Sequence, residues 1–410
     1  MQNEEAPGNA DGSNMPVRDI RRKPWPVWPI YDDTESAALN GVLRSGAWWS
    51  VEGEQGTRFE KEFAAFQNAR HALLCTNGTA ALEIALRALG IGCGDEVLVP
   101  SYTFVATATA VLAVGAVPIF IDIEESSLNL NAALIGAAVT PRTRAVIAVH
   151  IAGRPADMDR VLEAAARYKL VVIEDAAQAH GAEWRGTRVG ALGDIGTFSF
   201  QASKNLTAGE GGCVVTNRDD LAEAAWSVIN VGRVRQGGRY EHEVFGSNYR
   251  LTEFQSALLH TQLQRLPEQM ARRDGNAEIL RGLLEKIPGI LLPSLDSRIT
   301  SHANHLFTFR YDRAYFGDLD LESFLQKLEA EGILCWSGYS PLYREKLFTS
   351  PRSQYTGECQ AVKRFGYNSV FLPTCERVCA DTVWLPQWVL LAEPSDMEDI
   401  ACAVHKLVRP

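Results

Sequence analysis

Short apolar runs alternate with longer segments of helical spacing through residues 70–216. Near-continuous apolar strands that alternate with helices are typical of a mostly parallel sheet covered by helices on both faces. The helical spacing is clearest in Thr79–Leu89 and Met158–Tyr168. The strands that the pattern predicts are Ala72–Cys75, Glu96–Pro100, Pro118–Asp122, Ala145–His150, Leu170–Glu174, Gly196–Phe200 and Gly212–Thr216.

The pattern changes on either side of this predicted sheet. Residues 251–286 have the periodicity of one long amphipathic helix, and a weaker mixture of strand and helix patterns follows. The first residues are polar, rich in Asn, Gly, Asp and Glu, and end in a basic run, which is typical of a solvated tail. We therefore predict a flexible tail over 1–24, a large α/β domain over 25–285 and a smaller C-terminal α+β domain over 286–410. In the small domain we expect a strand at His305–Tyr311 and helices at Leu321–Glu331 and Asp396–Leu407.

One apolar stretch, Val105–Ile121, has nearly the length of a membrane span. Gly115 and Pro118 interrupt it, and Asp122 follows directly. A helix over Val105–Val114, a turn and a buried strand explain the stretch better than a bilayer helix does.

Composition narrows the possible partners. The chain has 410 residues, a formal net charge of -10, 46% hydrophobic and 22% charged residues, which are values of an ordinary globular protein. The acidic balance argues against nucleic acid or an anionic membrane as the main partner. Eight scattered cysteines without a CxxC pair predict free thiols in a reducing compartment. The N-terminus lacks the apolar segment of a signal peptide, so a cytoplasmic location is expected.

Three polar segments fall at the ends of predicted strands, where ligands bind in sheets of this kind. In the first, Asn77-Gly78-Thr79 joins a strand to a helix. The free N–H groups and the positive dipole end of such a helix suit a phosphate, although an ordinary helix cap has the same pattern. In the second, Glu174 and Asp175 follow an apolar strand. A carboxylate there can face a cofactor or simply cap the next segment.

The third segment places Lys204 in an apolar, glycine-rich strand and loop that runs from Gly196 to Gly212, with Ser199 as a possible phosphate ligand. Surroundings that disfavour the charge of a lysine depress its pKa and make the amine a nucleophile and base. A lysine on a flexible surface loop is the alternative. The three segments together follow the logic of a pyridoxal 5'-phosphate (PLP) site, with a phosphate cradle, an acid for the pyridine nitrogen and an amine for the aldehyde.

Over residues 25–405, the chain resembles the DegT/StrS family of PLP-dependent aminotransferases, which have fold type I. The motifs that carry the resemblance lie within the predicted large domain, between residues 77 and 250. They are Asn77–Leu82, Gly94-Asp95-Glu96-Val97, Thr103-Phe104 with Ala106-Thr107, Val149-His150 with Gly153, Glu174–Gly181, Phe198–Gly212 and Gly246-Ser247-Asn248-Tyr249-Arg250. The resemblance implies a mostly parallel seven-stranded sheet flanked by helices, with the smaller C-terminal domain beside it.

The resemblance also implies a role for each matching residue. Lys204 binds the cofactor's aldehyde and acts as acid and base, and Asp175 pairs with the pyridine nitrogen. The remaining cofactor contacts are Gln178 at the ring hydroxyl, Phe104 stacked on the ring, Gly78, Thr79 and Ser199 at the phosphate, and Asn248 at the phosphate of the neighbouring subunit's cofactor. The last contact implies a homodimer with shared active sites. His180 is expected to support the site from behind.

Trp25-Pro26-Val27-Trp28-Pro29, Trp48-Trp49 and Val389–Pro394 are similar to scyllo-inosose aminotransferases and 3-amino-5-hydroxybenzoate synthases. The implied activity is transfer of an amino group from L-glutamine or L-glutamate to a keto-sugar or keto-cyclitol, in the biosynthesis of an antibiotic or a cell-surface glycan. A PLP-dependent dehydratase or aromatase is the alternative. Where those relatives tend to carry two histidines, this chain has Pro386 and Gln387. Tyr339, Pro341 and Tyr343 are the candidates for the acceptor pocket.

Overall fold

The computed structural model describes residues 20–238, 240–350 and 366–409. In these ranges the strands, in chain order, are β1 His71–Cys75, β2 Glu96–Pro100, β3 Val117–Ile121, β4 Thr143–Val149, β5 Val171–Asp175, β6 Glu183–Trp184, β7 Thr187–Arg188, β8 Ile195–Ser199, β9 Gly212–Thr216, β10 Ile290–Leu291, β11 Ile299–Ser301, β12 Leu306–Tyr311, β13 Trp336–Ser337 and β14 Thr382–Pro386. The helices are α1 Asp33–Ser45, α2 Gln55–Phe66, α3 Gly78–Ala88, α4 Ala106–Ala113, α5 Ile135–Ala138, α6 Met158–Tyr168, α7 Asp219–Ile229, α8 Glu253–Leu284, α9 Leu321–Ala330, α10 Lys346–Thr349, α11 Pro373–Cys379 and α12 Asp396–Lys406.

The central sheet has seven strands in the order β1-β9-β8-β5-β4-β2-β3. The pairs from β8 to β3 are parallel, and β9 runs antiparallel to both of its neighbours. The seven predicted strands are therefore confirmed, each to within two residues at either end. The fold is the expected α/β arrangement with a mostly parallel sheet.

Alternate residues of the buried strands pack into two separate cores, one on each face of the sheet. Ala145 and Ile147 of β4 join the core that includes helix α3, whereas Val146 and Ala148 join the core that includes α2 and α6. Because side chains alternate across a strand, apolar residues at consecutive positions require cover on both faces. The near-continuous apolar runs of the sequence reflect this double cover.

The C-terminal region, for which we keep the name small domain, contains a four-stranded antiparallel sheet in the order β10-β12-β14-β13, while its strand β11 pairs with β6. Its core is aromatic, with Tyr311 and Phe324 stacked at 4.0 Å between ring centroids. Helix α8 runs from the large domain into this core, since Leu280 and Leu284 pack there. The predicted strand and both predicted helices of the small domain are present.

The apolar stretch after residue 104 forms helix α4 and then strand β3, as the break at Gly115 and Pro118 predicts. Nowhere in the described ranges is a helix both long and apolar enough to cross a membrane.

Two predictions need correction. Arg21 is buried and pairs with Asp396 at 3.1 Å and Asp399 at 2.7 Å, so the flexible tail cannot extend to residue 24. Residues 1–19 lie outside the described part. Cys93 is disulfide-bonded, contrary to the expectation that the cysteines are free. Free thiols are found at Cys75, Cys213, Cys335, Cys375, Cys379 and Cys402.

Candidate active site

A cleft of about 830 Å³ lies at the carboxyl ends of the parallel strands. Large-domain residues at the ends of β1, β2, β5 and β8 form one side, and small-domain residues of β12, β13 and β14 form the other. Parallel sheets place their ligand sites at this edge. Of the residues predicted for the site, Gly78, Thr79, Phe104, Asp175, Gln178, Ser199 and Lys204 line the cleft.

The first turn of helix α3 forms an anion cradle. Asn77 caps the helix, and its Oδ1 accepts a hydrogen bond from the Ala80 amide at 2.8 Å. Gly78 and Thr79 then present the positive end of the helix to the cleft. A Cβ on Gly78 would lie 2.7 Å from the Cβ of Ser199, so only glycine lets the helix approach β8 this closely. These residues suit a phosphate group.

Asp175 ends strand β5 and is buried on the floor of the cleft. Its Oδ2 accepts a hydrogen bond from the Thr107 hydroxyl at 2.8 Å, and its Oδ1 accepts one from the Ala177 amide at 3.2 Å. Burial raises the pKa of Asp175, while these two donors oppose the rise. The carboxylate is therefore held in one orientation, where a cationic partner would stabilise its charge.

Thr107 is a functional residue to which the sequence argument gave no role. Its hydroxyl also lies 2.9 Å from that of Thr103, four residues earlier. Both threonines are buried, Thr107 in the first turn of α4 and Thr103 in the segment before that helix. No local pattern in the sequence indicates the contact of Thr107 with Asp175, because the two residues are 68 positions apart.

Lys204 projects into the cleft from the loop between β8 and β9 and is mostly buried. The loop is held by backbone bonds from Lys204 N to Gln201 O at 2.9 Å and from Ala208 N to Phe200 O at 3.1 Å. Burial lowers the pKa of Lys204 to about 8, and the charge of Asp175 opposes that shift. An amine with this pKa is in part neutral near physiological pH, as a nucleophile or base must be.

Gln178 connects the two sides of the cleft. Its Oε1 accepts a hydrogen bond from the Ala152 amide at 2.6 Å, and its Nε2 donates to the Tyr339 hydroxyl at 3.2 Å. Because a backbone amide can only donate, the side-chain orientation of Gln178 follows from this contact. The amide N–H groups therefore face the cleft and the small domain.

The small-domain side of the cleft is aromatic, and the sequence argument predicted only Tyr339 of it. Trp384 packs edge-on against Tyr339 at 4.6 Å between centroids, and its Nε1 donates to Tyr102 Oη at 3.1 Å. Trp336 and Trp388 pack against each other at 5.9 Å and complete the side. Opposite them, the Phe104 ring is 55% exposed and 6.3 Å from that of Tyr339. We call Trp336, Tyr339, Trp384 and Trp388 the aromatic wall.

Other expectations about this side were wrong. Tyr343 is buried, and its hydroxyl donates to Glu376 at 2.8 Å, so it does not line the cleft. Pro341 is not among the lining residues either. Pro386 does line the cleft, whereas Gln387 is buried behind it and accepts hydrogen bonds from Arg273 at 2.9 and 2.6 Å.

Asn248 and His180 lie outside the cleft of a single chain. Asn248 is exposed and forms a β-bridge with Asn230. His180 is buried beside the rings of Phe198 and Phe200, at 5.5 and 5.7 Å. Burial lowers the pKa of His180 to about 3, with the charge of Lys204 as the next cause, so its ring is neutral.

Comparison with known proteins agrees with this geometry. The chain matches the DegT/DnrJ/EryC1/StrS aminotransferase family over residues 29–403. It is 39% identical to an L-glutamine:2-deoxy-scyllo-inosose aminotransferase of Streptoalloteichus tenebrarius, over 95% of this chain and 96% of the relative. It is 38% identical to a 3-amino-5-hydroxybenzoate synthase of Amycolatopsis mediterranei, over 92% and 95% of the two chains.

The structure is also similar to a solved one. A crystal structure of 3-amino-5-hydroxybenzoic acid synthase superposes with a TM-score of 0.85 at 37% identity, covering 94% of this chain and 98% of the other. The chain therefore belongs to the DegT/DnrJ/EryC1/StrS aminotransferase family, and it is an aminotransferase with the fold type I architecture.

Proposed function

We propose that this aminotransferase uses PLP to move an amino group from L-glutamine or L-glutamate to a keto-cyclitol or keto-sugar. The observation that carries the proposal is the amine of Lys204 within electrostatic reach of the buried Asp175 carboxylate, in one cleft with a helix-end anion cradle. The names of several relatives state a transfer from L-glutamine to an inosose. The product would serve aminocyclitol or aminosugar biosynthesis.

The residues present fit the proposed cofactor. The first turn of α3 with Gly78, Thr79 and Ser199 would hold its phosphate, and Phe104 would cover one face of its ring. Asp175 would pair with the protonated ring nitrogen, which would relieve the cost of the buried carboxylate. Gln178 would donate to the ring hydroxyl from the amide that faces the cleft. When bound, PLP supplies an aldehyde that takes up the amino group and a ring that withdraws electrons from the adjacent carbon.

The chain itself supplies the proton transfers and the orientation. Lys204 Nζ, with its pKa lowered to about 8, can take a proton from carbon and return it to a neighbouring atom. Thr107 keeps the Asp175 carboxylate in place through its 2.8 Å hydrogen bond. Gln178 keeps its amide N–H groups towards the cleft because Ala152 occupies its oxygen. The aromatic wall forms the opposite side of the cleft.

The charges of the cleft favour an uncharged acceptor ring. Among the described residues that line it, Lys204 is the sole lysine or arginine, whereas Glu83, Asp175 and Glu210 are acidic. A nucleotide diphosphate or sugar phosphate would find no further cation there to meet its charge. A polyhydroxylated carbocycle needs none and can place its C–H face against the aromatic wall. We therefore favour a keto-cyclitol over a nucleotide-linked sugar.

We further propose that the active form is a homodimer in which each subunit completes the site of the other. Asn248 is exposed, and the same surface presents Phe245, which is 79% exposed, and the aromatic pair Trp48 and Trp49. Exposed apolar residues of this kind are typical of a surface that another chain covers.

The test follows the visible spectrum of the purified protein loaded with PLP. We expect an absorbance band from the lysine-bound cofactor, which L-glutamine discharges and a keto-cyclitol restores, with the amino-cyclitol identified by mass spectrometry. Lys204→Ala should lack the band, whereas the exposed control Lys61→Ala should keep it. A spectrum that L-glutamine and L-glutamate leave unchanged would contradict the proposal.

The same assay tests the alternative activity. A dehydrating and aromatising enzyme would turn a hydroxylated ring substrate into a product with aromatic ultraviolet absorbance and would release no keto acid. If nucleotide-linked ketosugars are aminated and keto-cyclitols are not, the acceptor assignment is wrong while the aminotransferase assignment stands.

A further inference from the structure

A second cavity, of about 290 Å³, lies on the far side of the loop that holds Gln178. It is bounded by Ile151–Arg154 after strand β4, by helix α8 and by strand β12 of the small domain. Leu306 lines both this cavity and the active cleft. The cavity therefore sits where the large domain, the small domain and the helix between them meet. We call it the junction cavity.

Arg154 is the buried charge of the junction cavity. It is 8% exposed, and its Nη2 donates to the backbone oxygen of Ser294 at 2.6 Å. Its Nε is buried without a hydrogen-bond partner. Among the described residues no carboxylate lies within ion-pair distance of it, although the charges of Asp296 and Glu124 act on it from further away. A buried guanidinium without a direct ion pair and with part of its hydrogen bonding unsatisfied is costly. Such a group points to a ligand that supplies negative charge.

Two further donors belong to the same cavity. Arg281 of α8 donates to the Pro293 oxygen at 3.0 Å and has one ion pair at the surface, with Glu285 at 3.4 Å. His302 accepts a hydrogen bond from the Asn304 amide at Nδ1, at 2.8 Å. Its proton must then reside on Nε2, which becomes a donor. Burial and the charges of both arginines lower the pKa of His302 to about 3, so the ring is neutral.

The acidic residues of the junction cavity form no direct ion pair with Arg154 among the described residues. Asp296 is paired with Arg298 at 2.7 Å and acts on Arg154 only at longer range. Asp274 accepts a hydrogen bond from the Asn304 side chain at 2.6 Å, and Glu278 is exposed. One end of the cavity is therefore positively charged. It contains Arg154 and Arg281, with His302 beside them.

We propose that the junction cavity binds a small anion, with a carboxylate or phosphate group held by Arg154, Arg281 and the Nε2–H of His302. The volume corresponds to about ten water molecules at roughly 30 Å³ each, enough for inorganic phosphate or a short carboxylic acid. Arginine recognises both groups through paired N–H donors. A bound anion would connect the loop that holds Gln178 with helix α8. The proposed anion site takes no part in the transamination reaction, and its test measures binding and not enzyme activity.

The test measures anion binding to the PLP-loaded protein by isothermal titration calorimetry and thermal unfolding. Inorganic phosphate and malonate are titrated separately at constant ionic strength, with sodium chloride as the balancing salt. We expect saturable binding of at least one anion with a rise in Tm, since a ligand of the folded state stabilises it. The anion that binds more tightly identifies the preferred group.

Arg154→Gln and Arg281→Gln should each weaken binding about tenfold or more, because each removes charge-assisted hydrogen bonds. The control Arg167→Gln, an exposed arginine of α6, should bind like the wild type. If Arg154→Gln fails to fold, Arg281→Gln decides the question. Arg281 is partly exposed, so its replacement leaves fewer buried polar groups without a hydrogen-bond partner. Absence of saturable binding, or equal affinity in the wild type and Arg281→Gln, would overturn the proposal.

Discussion

The two sides of the active cleft are built in different ways. The cofactor side consists of short contiguous segments at strand ends, such as Asn77–Thr79 and the loop around Lys204, in which backbone and side chains act together. The aromatic wall joins two separate segments of the small domain, which contribute Trp336 with Tyr339 and Trp384 with Trp388. If the proposed roles hold, the chemistry depends on local structure, whereas the choice of acceptor depends on how the two domains pack. Mutations on the two sides should therefore change different kinetic constants of the enzyme.

The largest effect is expected from Lys204→Ala on the cofactor side. Loss of the nucleophile and base should lower kcat by at least about 10³-fold, with both half-reactions affected. The measurement is single-turnover kinetics with L-glutamine, with Lys61→Ala as the exposed-lysine control. Residual activity within about tenfold of the wild type would show that another group carries the proton.

Asp175→Asn should lower kcat by roughly 10²-fold or more, because a neutral amide cannot stabilise a cationic ring nitrogen.

Thr107→Val removes the donor that holds the carboxylate at 2.8 Å and should lower kcat about five- to tenfold. Thr109→Val on the same helix is the control, since its hydroxyl contacts only the Ala106 backbone oxygen at 3.4 Å. Equal losses for the two threonine variants would mean that helix stability, and not Asp175, is responsible.

The lowered pKa of Lys204 predicts a pH profile for cofactor uptake by the apoprotein. Attack needs the neutral amine, so the uptake rate should rise about tenfold per pH unit below pH 8 and level off above it. Stopped-flow absorbance at several pH values measures this rate. A rate that keeps rising through pH 10 would indicate a lysine with its ordinary pKa.

A mutation in the aromatic wall should weaken binding of the acceptor and leave the reaction with the amino donor nearly unchanged. Trp384→Ala should raise KM for the acceptor about tenfold, since it removes a large contact surface, while discharge of the cofactor by L-glutamine changes less than about twofold. Trp226→Ala, on helix α7 and away from the cleft, is the matched control. If Trp384→Ala slows both half-reactions equally, the division of the cleft into two sides is wrong.

This division also explains what could be predicted from the sequence. The seven strands were predictable from the sequence, and so was the position of Lys204, Asp175 and Gly78 at one edge of the sheet, because apolar runs and strand-end motifs are local signals. The aromatic wall was not, because the direction of a tryptophan such as Trp388 depends on packing between distant segments. Tyr343 shows the same limit, since an aromatic residue with a polar end fits a core as well as a pocket.

Arg21 and Thr107 were missed for opposite reasons. Arg21 lies in the basic run that ends a polar stretch, yet its guanidinium donates to Asp399, which is 378 positions away in the chain. Thr107 lies inside a recognisable motif, but its partner Asp175 is 68 positions away, on another strand end. In both residues the decisive contact is long-range, and no local pattern indicates it.

The most direct test of the account follows the amino group itself. The PLP-loaded protein is treated with L-glutamine labelled with ¹⁵N at the α-amino group, separated from free amino acid, and then given a keto-cyclitol alone. The account predicts one equivalent of ¹⁵N-amino-cyclitol per active site, and none with Lys204→Ala. Label that stays in the amino acid, or product that forms only when donor and acceptor are present together, would contradict it.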